Sequence, residues 1–103
     1  MSVEVKVFKT AIGEEIIGAV ETHEGGVWVV TDPLGIGIDQ REGKLVFVPY
    51  MPYTSAAQKL VIYETALLFE PLDPVDSIYD DYINATRKIA VPGRSGKILT
   101  PVK

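Results

Sequence analysis

The first apolar run alternates: Val3, Val5 and Val7 are interleaved with Glu4, Lys6 and Phe8, the period of two that marks a half-buried strand. Residues 10–13 supply a turn, and residues 14–22 form a second β-rich run whose apolar surface is carried by Ile16, Ile17 and Val20. Gly18 lies inside that run. A glycine there weakens a strand and marks a bend, a bulge or the close approach of another backbone. Residues 23–26 (HEGG) break the pattern, since paired glycines admit the positive φ of a tight hairpin turn. Residues 27–31 (VWVVT) are β-branched and aromatic and predict a central strand.

Asp32-Pro33 interrupts that strand. Proline donates no backbone hydrogen bond, so the chain either bulges here or lies at an edge. Residues 34–38 (LGIGI) resume an apolar–glycine alternation, as expected where a strand curves tightly. Residues 41–44 read as a polar hairpin turn, and residues 45–48 (LVFV) are continuously apolar, which predicts burial. Pro49 and Pro52 end that strand, and residues 54–58 form a loop or a single helical turn. Residues 59–69 (KLVIYETALLF) are the last strand candidate; the run has helical propensity, but Val61, Ile62, Tyr63 and Thr65 favour β.

One segment has helical spacing. Asp73-Pro74 places a capping residue before a proline at the first helical position, and Asp76 adds negative charge to the first turn. Val75, Ile78, Tyr79, Tyr82 and Ile83 then share a face, and Arg87 and Lys88 suit the C-terminal end of the dipole. The predicted organisation is an all-β small barrel over residues 1–72, a helix over residues 73–88 packed on it, and a basic tail over residues 89–103.

Composition narrows the chemistry. The 103 residues suit one domain and include no cysteine, which excludes disulfides, thiolate metal sites and thiol nucleophiles. No apolar run approaches the ~18 residues of a membrane helix, and the N-terminus lacks a signal-peptide layout, so a cytoplasmic protein without membrane contact is expected. The net charge of −4 is unevenly spread. All 14 acidic residues lie at or before Asp81, whereas half of the 10 basic ones (Arg87, Lys88, Arg94, Lys97 and Lys103) come after it. The acidic body repels phosphate backbones; the basic tail either contacts one locally or neutralises the body, within one subunit or between neighbours.

Five short curved strands with glycines at the bends describe an SH3-like barrel. Residues 5–21 (VKVFKTAIGEEIIGAVE), followed by VWVVTDPLGI, resemble the first motif of Sm-like proteins, with Val5, Val7, Gly13, Ile16, Gly18 and Val20 at the matching places. TDPLGI, FVPYMPY, EPLDP and the aromatic helix SIYDDY are similar to a group of Sm-like proteins from tailed phages, in which the helix follows the barrel. The resemblance spans residues 3–88. It implies a homo-oligomer, a closed ring made by pairing the edge strands of neighbouring subunits, and RNA as a ligand. The residues of the usual uridine site are absent, however. The turn ETHEGG has no asparagine, and IYETA carries Tyr63-Glu64 where the family has a basic residue and glycine; a glutamate there repels phosphate. The candidate RNA contacts are accordingly His23 and Tyr63, with Arg94 and Lys97 in the tail.

No catalytic constellation emerges, and no cofactor or metal is expected. His23 beside Glu21 and Glu24 has no recognised ligand spacing and reads as a surface turn residue. No serine sits in a nucleophile elbow. Glu14 and Glu15 are adjacent and point to opposite faces of a strand. VPGRSGK lacks the spacing of a phosphate loop, with Ile98 where serine or threonine belongs. Tyr50, Met51 and Tyr53 are candidates for protein interaction, or else pack on the C-terminal helix or a neighbouring subunit. Trp28 reads as core or interface. The expectation is a ring-forming, RNA-associated protein without catalysis, the alternative an adaptor oligomer that binds protein partners.

Overall fold

The computed structural model describes residues 3–86. Five strands form one antiparallel sheet: β1 (Val5–Lys9), β2 (Glu15–Glu24), β3 (Val27–Asp39), β4 (Lys44–Pro49) and β5 (Lys59–Tyr63), followed by helix α1 (Asp76–Thr86). Single 3₁₀ turns, Ser55–Ala57 and Glu64–Ala66, flank β5. The β2–β3 turn is made by Gly25 and Gly26 at φ of 62° and 76°, the paired positive values that the sequence calls for at a two-residue hairpin.

β3 is the strand on which the others are arranged. β2 pairs along one side of it, while β5 pairs with its first half and β4 with its second half on the other side. The two halves join at Asp32-Pro33, where the sequence predicts a bulge or an edge. The structure has a bulge inside one continuous strand. Ala19 faces Thr31 and Ile17 faces Leu34, so two β3 residues stand against Gly18 alone. Asp32 takes φ of +50°.

That extra residue changes which face the strand presents. Trp28 and Val30 belong to a cluster with Phe8, Ile16 and Ile62. Leu34 and Ile36, also even-numbered, pack instead against Val5, Ile17, Ala19, Tyr82 and Ile83. A strand without the bulge would send all four to one side. The bulge lets β3 contribute to two cores on opposite faces of the sheet.

Gly18 is the counterpart on β2. A Cβ built there would lie 2.1 Å from Val30 Cγ1, so the close approach, rather than an unusual φ, is what excludes a side chain. Around it β2 alternates between the cores: Ile16 and Val20 to the first, Ile17 and Ala19 to the second.

Helix α1 covers the second core. It begins at Asp76 rather than Asp73: the backbone N of Tyr79 donates to Val75 O at 2.9 Å, and Asp73 is instead held by an ion pair with Lys6 at 2.7 Å. Val75, placed by its spacing on the buried face, is consequently outside the helix and 65% exposed. Ile78, Tyr79, Tyr82 and Ile83 do pack inward. Arg87 and Lys88, with the rest of the predicted tail, lie outside the described residues.

Tyr82 ties the helix to the bulge. Its ring is fully buried, and its hydroxyl lies 2.7 Å from Asp32 O and 3.2 Å from Thr31 O. Those carbonyls belong to the stretch where β3 leaves regular pairing, and buried carbonyls need a donor. Burial, with the Asp32 charge nearby, pushes the Tyr82 phenol well above its ordinary range.

Three further expectations are corrected. The last strand stops at Tyr63 instead of Phe69, because Glu64–Ala66 turns as a 3₁₀ helix. Residues beyond it form no further strand among the described residues and pair back onto Val7 and Thr10 only at isolated bridges, with Leu72 and Leu67, so the predicted barrel is a five-stranded sheet that does not close. The expected burial of LVFV is also wrong: Leu45, Val46 and Val48 are 52%, 37% and 45% exposed. Among the described residues β4 has a neighbouring strand on one side only, and only Phe47 of the four packs inward, edge-on to Tyr82.

Candidate interaction surfaces

β5 and β4 lie on the same side of β3, before and after its bend respectively, and each has an outer side that pairs with no other strand among the described residues. Both are apolar. On β5, Val61 and Tyr63 are 47% and 59% exposed and alternate with buried Ile62. Beside β5 runs a groove of about 380 Å³ between the strand and the β1–β2 turn, walled by Ile12, Tyr50, Leu60, Val61 and Tyr63. Ile12 stands 84% exposed at the tip of that turn. The turn itself is pinned, since the backbone N of Ala11 donates to Ala66 O at 2.8 Å.

A second cavity, also about 380 Å³, opens at the hairpin end of the sheet. The β2–β3 pairing sets His23 opposite Trp28, and their rings stack at 3.5 Å with an 8° tilt. Phe8 meets the indole edge-on at 5.5 Å. Glu64 reaches back from the end of β5: its backbone N donates to Gly26 O, and its Oε2 lies 3.0 Å from His23 Nε2. Lys6, Phe69 and Glu70 complete the walls. The hydrogen bond to Asp73 holds the Lys6 ammonium above its ordinary range. The Trp28 Nε1 is buried and has no hydrogen-bond partner among the described residues.

The residues singled out by sequence are thus dispersed. His23 is no isolated turn residue but is fixed between Trp28 and Glu64, forty-one positions away. Tyr63 points out from β5 on the other cavity's wall. Arg94 and Lys97 lie outside the described residues. The Tyr50, Met51 and Tyr53 trio does not form one patch on the helix. Tyr50 packs against the first core, its hydroxyl 3.5 Å from Glu14 Oε1; burial pushes that phenol up. Met51 is 38% exposed at φ of +47°, and Tyr53 is 81% exposed. Sequence reasoning missed Ile12, Phe69 and Glu70, which lie in turns where apolar or acidic character carries no periodic signal.

Among the described residues, no group of three or more His, Cys, Asp or Glu side chains could hold a metal ion, and no helix is long and apolar enough to cross a membrane. No protein-family profile and no curated protein sequence matches the chain.

Proposed function

We propose that the protein is a non-catalytic Sm-like subunit that assembles with copies of itself, β4 of one subunit pairing with β5 of the next, into a closed ring that serves as a scaffold for protein partners. One observation carries this reading: the two outer strands are both apolar and lie on opposite sides of the β3 bend. Two different edges set at an angle make a head-to-tail contact, and such contacts generate rings when the rotation closes. An exposed apolar edge on a lone subunit invites aggregation, which pairing removes. The groove beside β5 then receives the neighbour's Leu45, Val46 and Val48.

Sedimentation equilibrium tests it. The expected result is a single discrete oligomer, reduced to the 11.3 kDa monomer by Val46→Lys together with Val48→Lys. A wild-type chain that stays monomeric at high concentration overturns the reading.

A second reading, RNA association, is supported by the five cations of residues 87–103; the described body, with all 14 carboxylates, disfavours phosphate. A salt titration separates the two. Affinity that falls steeply with salt and disappears when the tail cations are neutralised favours RNA, and no binding to an RNA pool at low salt removes it.

A further inference from the structure

The cavity at the hairpin end is anionic and apolar together. Glu64 and Glu70 supply carboxylates, that of Glu64 lying 3.0 Å from His23 Nε2, and Phe69 supplies an exposed aromatic face. Lys6 is the one permanent cation on its walls, and Asp73 already pairs with it. The same holds across the body. Lys9, Lys44 and Lys59 are paired with Glu15, Glu42 and Glu21, so the lysines of the sheet have no charge left to offer this cavity.

An occupant must therefore bring cations and aliphatic surface. An extended basic peptide has both: Lys and Arg heads for the glutamates, and their methylene stems for Phe69. The chain contains one such stretch. Residues 87–103 carry Arg87, Lys88, Arg94, Lys97 and Lys103 and no acid. Extended at ~3.3–3.6 Å per residue, they reach farther than the 39 Å longest dimension of the molecule. Being tethered, they compete at an effective concentration on the order of millimolar.

We propose that this cavity is the seat of the chain's own basic C-terminal segment, residues 87–103, held intramolecularly against Glu64 and Glu70. The interaction needs only one subunit and so goes beyond the ring reading. It also makes the tail's cations unavailable to nucleic acid until they are displaced.

The test is carbodiimide cross-linking of the full chain, prepared as a mixture of unlabelled and ¹⁵N-labelled protein and mapped by mass spectrometry. Amide links are expected between Glu64 or Glu70 and Lys97 or Lys103, each within one isotopic species. Their yield should fall about tenfold in 1 M salt, where screening acts within ~3 Å, and vanish in the Glu64→Gln, Glu70→Gln double variant. Links chiefly to Asp76, Asp80 and Asp81, mixed-isotope links, or no tail links at all overturn the proposal. A second measurement does not depend on lysine reactivity. Trp28 is the only tryptophan, and changing the five tail cations to glutamine alters no described residue. Acrylamide quenching of Trp28 should rise at least about twofold in that variant and match wild type in 1 M salt; equal quenching of the two proteins at low salt counts against a seated tail.

Discussion

β2 and β4 are built from similar residues, and both pair with β3, yet their surroundings are opposite. β2 has β1 on one side and β3 on the other, the first core beneath it and α1 above it, so Ile16, Ile17 and Ala19 are all 3% exposed or less. β4 has β3 on one side and, among the described residues, no strand on the other, and Val48 remains 45% exposed. Burial here is a property of the neighbours, not of the residue. The contrast also locates where each strand matters: β2 holds the fold together, while β4 presents apolar surface that no other described residue covers.

The strongest way to break the β2 side is Ile17→Ala. Ile17 is fully buried in the helix-covered core, so the cavity and lost transfer energy should cost about 2–5 kcal/mol, read as a lower urea midpoint. Gly18→Ala works by overpacking. Its new methyl meets Val30, and a loss of about 1–3 kcal/mol should appear as a drop in melting temperature. An unchanged melting temperature would show that Val30 has room to move and that the approach is looser than the geometry indicates.

Tyr82→Phe sharpens the comparison at the point where the bulge meets the helix. It removes the donor for Asp32 O and Thr31 O and should cost about 0.5–1.5 kcal/mol at neutral pH. The loss also has a pH signature. The folded-state phenol is raised above its ordinary value of 10.0, so below that value both folded and unfolded chains keep the proton. As pH climbs past it, the unfolded chain releases the proton and the folded chain does not, so stability falls with rising pH. Urea midpoints taken at about pH 9 and about pH 11 should converge in the variant relative to wild type. An equal alkaline decline in both would assign the effect to other tyrosines.

The smallest thermodynamic effect belongs to β4. Val46→Lys with Val48→Lys should change the stability of the isolated chain by no more than about 0.5 kcal/mol, while its expected effect on sedimentation is large. A large loss of subunit stability would mean that these side chains are packed within the fold.

Much of the strand order was legible because the local signals agree with it. The alternation in β1, the paired glycines at 25–26 and the β-branched run around Trp28 each specify one conformation. The continuity of β3 through Asp32-Pro33 was not, since a proline reads as an interruption whether the chain bulges or ends. Only the donor supplied by Tyr82, fifty positions later, distinguishes them. The exposure of LVFV was illegible for a related reason: an apolar run looks the same under a helix as on an open edge. Of the hairpin cavity, the sequence showed His23 and Glu24 as neighbours, but the partners that matter, Trp28 and Glu64, come from pairing across three strands.

The hydroxyl of Tyr82 has a consequence for the order of synthesis. The bulge it supports leaves the ribosome fifty residues ahead of it, a delay of about 2.5–10 s at roughly 5–20 residues per second. The core under Trp28 can close once Leu67 has emerged, while Val5, Ile17 and Ala19 wait for the helix. A nascent chain paused before Tyr82 therefore displays one finished face and one bare one, and the bare face is where a chaperone would find it.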